Sequence, residues 1–172
     1  MGESKTGQAF IQHEFDEAIA VHQAIVEAER ILAESHPDKA AKTAIGRMLK
    51  DDEACLRQLK QLGGRFGATG KAEEVAAAMQ ELSETTTKSA DEAPSEAYEA
   101  HAVLLTMLRK QQDSSAAMAK IAQELGDREV KDAATAMQKT TKSEAEELST
   151  LLAQLAVTIA TESGAGAKAA AR

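Results

Sequence analysis

Apolar residues return at helical spacing along four long stretches of this chain. Within each stretch they recur every three or four residues, so one face is apolar and the opposite face is charged. Residues that end or begin helices separate the stretches, among them Pro37, the Gly63-Gly64 pair, and Gly126 followed by Asp127. This pattern predicts four helices, over about 8–35, 37–62, 94–125 and 127–161.

The lengths of the connections indicate how these helices pack. Very short turns join the first helix to the second and the third to the fourth, so each pair is expected to form an antiparallel hairpin. The second and third helices are about 30 residues apart, enough to return along a bundle ~40 Å long at 1.5 Å per residue. We therefore predict an all-α four-helix bundle over residues 8–161, whose crossover contains a short helix at about 71–83. The Gly- and Ala-rich residues 162–172 are predicted to form a disordered tail.

Each predicted helix carries one polar residue near the middle of its apolar face. These residues are His22, Asp52, Gln111 and Glu144, and counting from the turns places them at similar heights. Burying polar groups inside a bundle is costly, so four of them at one level indicate either a binding site or a structural polar layer.

The chain resembles the ferritin-like superfamily, especially its small bacterial, stress-associated members. The resemblance covers residues 8 to about 160 and depends on the connectivity, on the four mid-helix polar positions and on two short phrases. These phrases are Arg-Met-Leu-Lys-Asp-Asp at 47–52 and Leu-Gly-Asp-Arg-Glu-Val-Lys at 125–131. It implies a bundle in which two helices each supply a Glu, and the other two a Glu-x-x-His motif, to two iron or manganese ions.

The residues at the matching positions depart from that pattern. His22 stands where a Glu is expected, Cys55 follows Asp52 where the His would be, and Gln111 replaces another Glu. Glu144 is present, but no His follows it at the motif spacing. We therefore expect no catalytic residues and no two-metal oxidation chemistry.

Two interpretations of the polar layer stay open. His22, Asp52 and Glu144, with Gln111 beside them, would suit a single Zn, Mn or Fe(II) ion. Alternatively, the layer binds no cofactor and fixes the helix register through its own hydrogen bonds or water, and we expect this second case.

Other polar residues are assigned structural or solvent-exposed positions. Glu29, two turns from His22, is predicted to reach solvent at the end of the bundle. His13 and His36 lie near helix ends, where exposure to solvent is expected. Cys55 is predicted to be a buried, inert thiol, because nearby acids raise a thiol pKa.

The net charge of −8 and the pI near 5.1 exclude nucleic acid and anionic membranes as default partners. No apolar stretch approaches the roughly 20 residues of a membrane span, and the N-terminus has no signal-peptide core. We predict a cytoplasmic protein without an intramolecular disulfide, since Cys55 is the single cysteine. A homodimer, or a protein partner held through helix faces, stays open.

Three functions are compatible with these observations. The first, which we favour, is a ferritin-like bundle with a degenerate metal centre that is non-catalytic or binds metal weakly. The second is an interaction or scaffold protein whose amphipathic helices coat a granule or a partner. The third is a metalloenzyme or metal-storage protein with an atypical ligand set. A coating helix gains nothing from Asp52 at the centre of its apolar stripe, so the polar layer favours the first or the third.

Overall fold

The computed structural model describes residues 6–71, 77, 81, 90 and 92–170, with the backbone alone from residue 162 onward. The regular elements of this part of the chain are four α-helices, without a strand: α1 (Gly7–Ser35), α2 (Lys39–Gly64), α3 (Pro94–Leu125) and α4 (Arg128–Ala170). The predicted all-helical architecture with four long helices is confirmed. The short helix predicted at about 71–83 lies almost entirely outside the described residues.

Aspartate side chains cap the N-termini of α2 and α4. Asp38 Oδ1 accepts a hydrogen bond of 2.7 Å from the Ala41 amide, so α2 begins two residues later than predicted, with Pro37 ahead of the cap. Asp127 Oδ1 caps α4 in the same way, through the Val130 amide at 3.1 Å. Both aspartates provide an acceptor for an amide that has no partner within its helix.

The last helix is longer than the sequence predicts. α4 continues to Ala170, so residues 162–170 are helical where a disordered tail is expected from about 162. Alanine, the strongest helix former, supplies four of these nine residues, which offsets the cost of the two glycines among them.

The helices pack as two antiparallel hairpins. The backbone of α1 lies close to those of α2 and α3, and the backbone of α4 lies close to those of α3 and α2. Over the described residues, α1 and α4, like α2 and α3, lie diagonally with their backbones farther apart. The end of α2 packs at Gly63 against Phe15 and Ile19, near the start of α1. His101, two turns into α3, instead meets His36 just after α1. α2 therefore ends and α3 begins at opposite ends of the bundle.

The apolar core consists of two clusters, one toward each end of the bundle. Between them every helix contributes buried polar side chains. We call those of His22, Asp52 and Glu144, together with the neighbouring Glu29, the polar band, which interrupts the core near its middle. Leu59 on α2 and Met137 on α4 belong to one cluster, whereas Met48 and Leu148 on the same helices belong to the other. Asp52 and Glu144 lie between these pairs.

The outer faces of the helices are largely polar. Ion pairs such as Lys120–Glu124 run along single helices, and Arg47–Glu147 joins α2 to α4. Among the described residues, the exposed large hydrophobic side chains are those of Phe10, Leu125 and Val157. No helix in this part of the chain is both long and apolar enough to cross a membrane.

Candidate metal centre

The structure buries all four of the predicted polar-layer residues. The exposed fractions of His22, Asp52, Gln111 and Glu144 are 0%, 1%, 0% and 6%. His22 on α1 and Asp52 on α2 are in direct contact. The imidazole Nε2 lies 3.1 Å from the Asp52 carbonyl oxygen and 3.3 Å from Oδ1 of its carboxylate. The antiparallel hairpin of α1 and α2 therefore pairs the two residues at the centre of the band.

Glu29 is a further buried acid, which corrects its predicted position in solvent at the end of the bundle. Its side chain is fully buried instead of reaching solvent, and the negative charges of Asp52 and Glu144 act on it. Side chains on a helix lean toward its N-terminus. Because α1 and α2 are antiparallel, Glu29 and Asp52 lean toward each other, and Glu29 approaches the band although its backbone lies two turns beyond His22. This lean is the signal in the sequence that could have identified it.

Buried acceptor atoms without hydrogen-bond partners are concentrated in this region. Within the described part of the chain they include five carboxylate oxygens: both of Glu29, both of Asp52 and Oε2 of Glu144. Of these, Asp52 Oδ1 has the ion-pair contact of 3.3 Å with His22 Nε2 in place of a hydrogen bond. Nδ1 of His22 has no partner either. Leaving such groups unsatisfied in an apolar interior is costly, and ionised carboxylates have no hydrogen to donate to one another. Protons or a bound cation would reduce that cost.

The pKa values of the acids reflect this crowding. Burial, followed by the interactions with the Asp52 side chain and then by the charge of Glu144, raises the pKa of Glu29 well above its usual range. Burial, followed by the charge of Asp52, raises the pKa of Glu144 to about 8, against the opposing effect of His22. These two glutamates therefore retain protons at neutral pH when no cation is bound.

The histidine of the band is charged under the same conditions. Burial by itself lowers the pKa of His22, but interactions with the side chains of Asp52 and Cys55 outweigh it and raise the pKa to about 10. The band without metal is therefore built around an imidazolium–carboxylate pair, with protonated glutamates beside it.

Gln111 lies at a different level from the other three predicted residues. Its Nε2 donates to the sulfur of Met137 at 2.9 Å, whereas its Oε1 has no partner within the described residues. Met137 lies two turns before Glu144 on α4, a separation of about 10 Å along the axis at 1.5 Å per residue. The equal heights inferred by counting from the turns are therefore corrected for Gln111, because helices of unequal length are not aligned by their ends.

No three potential ligand atoms from different residues of the band lie within 4.8 Å of one another. Among the described residues, that spacing is met only by His13, Glu14 and Glu17 on the first turns of α1, all half-buried. Glu17 also forms an ion pair of 3.0 Å with Lys110 of α3, which offsets the negative charge of Glu17. Binding one ion in the band therefore requires its carboxylates to move closer together, whereas the triplet at the start of α1 is already compact.

A pair of buried imidazoles lies at the end of the bundle where α1 turns into α2. His36, predicted to be solvated, is only 3% exposed, and His101 is fully buried. His36 Nδ1 accepts from the Asp38 amide at 3.1 Å, and its Nε2 is 3.4 Å from Nδ1 of His101. Nε2 of His101 in turn donates to the Leu148 carbonyl at 2.9 Å.

This chain of hydrogen bonds is complete when both rings are neutral and carry their proton on Nε2. Burial lowers the pKa of His36, and burial together with the charge of His36 lowers the pKa of His101 to about 4. A neutral pair of imidazoles therefore ties the α1–α2 turn to α3 and α4.

Comparison with known proteins adds no further assignment. No family model matches the chain, and no curated protein matches it. The buried polar band is therefore the feature of this chain that points to a function.

Proposed function

We propose that this chain is a ferritin-like helical bundle that binds one divalent metal ion weakly in its polar band, without oxidase activity. The observation that carries the proposal is the set of five buried carboxylate oxygens without hydrogen-bond partners, contributed by α1, α2 and α4. Carboxylate oxygens and imidazole nitrogens are the ligands that Fe(II), Mn(II) and Zn(II) accept in proteins. A divalent cation would satisfy these groups together.

The arrangement of the helices supports a ferritin-like topology. The contacting pairs are α1–α2, α3–α4, α1–α3 and α2–α4, and the two connections within hairpins are short. α2 ends and α3 begins at opposite ends of the bundle, which is the requirement for one long crossover between two hairpins. A role in stress handling would follow from the same resemblance.

The number of ligands favours one ion. His22, Glu29, Asp52 and Glu144 provide four side chains, which match a single four-coordinate site or a larger one completed by water. Three carboxylates offset the charge of one divalent ion but not of two. The ion would displace the protons held by the glutamates and by His22, so its affinity would rise with pH.

Two observations favour metal binding over a granule- or partner-coating function. The buried acids occupy the interior of the bundle, where a coating surface would not use them. The exposed large hydrophobic residues of the described chain belong to three different helices, Phe10 on α1, Leu125 on α3 and Val157 on α4. An interaction surface would instead favour a contiguous apolar patch.

Metal analysis of the purified protein after incubation with Fe(II), Mn(II) or Zn(II) tests the proposal. The variants Asp52→Asn and Glu29→Gln each remove one carboxylate ligand from the band, while His13→Gln removes one ligand from the compact triplet on α1. Calorimetric titration gives the stoichiometry and affinity of each variant.

We expect about one ion per chain, with an affinity reduced at least about tenfold in both band variants and unchanged in His13→Gln. Loss of binding in His13→Gln alone would place the ion on the triplet and overturn the proposal. Absence of binding at every pH tested would leave the band as a structural polar layer.

A further inference from the structure

A groove runs between α2 and α4 at the level of the polar band. It has a volume of about 430 Å³, and its lining includes Arg47 and Asp51 from α2 and Ser143, Glu144 and Glu147 from α4. Of the four pairs of adjacent helices, α2 and α4 are the pair whose backbones approach each other least over the described residues. A divalent ion with six waters occupies roughly 200 Å³, at about 30 Å³ per water, so the groove has room for a hydrated ion.

Glu144 connects this groove to the interior of the bundle. Its side chain lines the groove and is 6% exposed, whereas the other three side chains of the polar band are at most 1% exposed. Its Oε2 is buried without a hydrogen-bond partner among the described residues. From the band, the charges of Asp52 and His22 act on it, and from the groove those of Asp51 and Arg47 do so. Glu144 is therefore the member of the band that an ion in solvent reaches first.

An ion pair spans the groove at the surface. Arg47 on α2 donates a hydrogen bond to Glu147 on α4, and the two side chains are 61% and 42% exposed. Lys139 adds a second positive charge to the lining, and Asp51 adds a second negative one. The charges of the lining are therefore balanced around a protonated Glu144, and loss of Arg47 would make the groove acidic. Acidic clefts concentrate cations, whereas a positive charge beside the path repels them.

We propose that the groove between α2 and α4 is the route by which a divalent cation enters and leaves the polar band, with Glu144 as its first ligand and Arg47 as the residue that slows its passage. This inference rests on the proposed metal-binding function and adds how the ion reaches that site. At Glu144 the ion gives up part of its water and replaces the carboxyl proton, which passes to solvent, before it moves inward to Asp52. No oxidation or reduction is involved.

The rates of zinc binding and release test this route, because the path affects both rates whereas the ligands determine the affinity. Stopped-flow mixing with Zn(II) and a zinc-sensitive dye gives the binding rate, and mixing loaded protein with excess dye gives the release rate. Arg47→Gln breaks the ion pair, and Ser143→Trp fills the groove. The matched controls are Arg30→Gln, which breaks a surface ion pair outside the groove, and Thr135→Trp, at an exposed position of α4 that does not line it. Circular dichroism verifies the helices, and Thr140→Trp, in the same groove, replaces Ser143→Trp if that variant does not fold.

We expect Arg47→Gln to bind and release zinc at least about threefold faster than the wild type, and Ser143→Trp to do both at least about tenfold more slowly. Their equilibrium affinities should stay within about threefold of the wild-type value, and both controls should keep the wild-type rates. Wild-type rates in both groove variants would show that the ion takes another route, while metal binding itself stands. Absence of zinc binding to the wild type, or its loss in His13→Gln, would overturn the metal-binding function and this inference together.

Discussion

His22 Nε2 lies 3.3 Å from Oδ1 of Asp52, and both side chains are buried between the two apolar clusters of the bundle. The pair joins α1 to α2 at the level where the core is least apolar. The pair matters both for metal binding and for the stability of the fold, because the positive charge of His22 acts on two buried acids, Asp52 and Glu144.

Replacing His22 with leucine should destabilise the protein strongly. The substitution leaves the Asp52 carboxylate buried without its cation, beside two further acids, and breaking a buried ion pair in this way costs about 3–5 kcal/mol. Chemical denaturation at pH 7 measures the change in the free energy of unfolding.

Arg30→Leu provides the matched control, because Arg30 also joins α1 to α2, through Glu53, but at the surface. Its loss should cost less than about 1 kcal/mol. Equal losses of unfolding free energy in the two variants would show that the buried ion pair stabilises the fold no more than the surface pair does.

The paired imidazoles of His36 and His101 should make the fold sensitive to acid. Their pKa values are lowered in the folded state, that of His101 to about 4, whereas the unfolded chain takes up protons near 6.5. The unfolded state therefore binds more protons between these values, and stability falls as pH drops from about 6.5 toward 4, by up to about 1.4 kcal/mol per pH unit for each proton. Denaturation midpoints across this range measure the slope.

His101→Phe should reduce that slope, whatever its effect on stability at pH 7. His13→Gln alters a histidine outside the pair and should leave the slope unchanged. The charged group facing the pair is Asp38, whose carboxylate is occupied in capping α2. An unaltered slope in His101→Phe would assign the acid sensitivity to other groups.

Helical periodicity alone was sufficient to predict the four helices and the burial of His22, Asp52 and Glu144. It misplaces Glu29 because periodicity gives the height of the backbone, whereas the carboxylate leans about a turn toward the start of its helix. It misplaces His36 because α3 covers this helix end through His101, although a helix end is usually exposed. Both errors concern contacts between helices, which a pattern within one helix does not contain.

Glu29→Gln should make the protein more tolerant of alkaline conditions. The pKa of Glu29 is raised in the folded state, so its contribution to stability is present below the unfolded value near 4.5 and is lost as pH rises through the folded pKa. Glu144, with a pKa of about 8, and His22, with one of about 10, act in the same direction. Free energies of unfolding measured without metal between pH 5 and 9 should decline less steeply in the variant.

The neighbouring Glu27→Gln serves as the control, since Glu27 is half-exposed and pairs with Arg30 at the surface. It should follow the wild-type pH dependence. If the unfolding free energy of Glu29→Gln declines with pH as steeply as that of the wild type, ionisation of Glu29 is not what destabilises the folded state.

The loop after α2 should depend on a glycine at position 70. Gly70 has φ +73°, and a Cβ there would lie 2.5 Å from Cγ2 of the buried Ile19. Its amide and that of Thr69 both donate to Oδ1 of Asp16, at 2.9 and 2.7 Å, which ties the loop to α1. Gly70→Ala combines an unfavourable backbone conformation with this steric clash and should cost about 1–3 kcal/mol of unfolding free energy, measured by chemical denaturation.

Gly64→Ala is the matched substitution, because Gly64 is the last residue of α2 and has nothing within 4 Å of an added Cβ. Alanine is favoured over glycine by about 0.5–1 kcal/mol in the middle of a helix, so this variant should be neutral or slightly more stable. Changes of opposite sign in the unfolding free energy of the two variants would show that the conformation of the loop, and not the number of glycines, stabilises this end of the bundle. A neutral Gly70→Ala would instead mean that the loop detaches from Asp16 and Ile19 without cost.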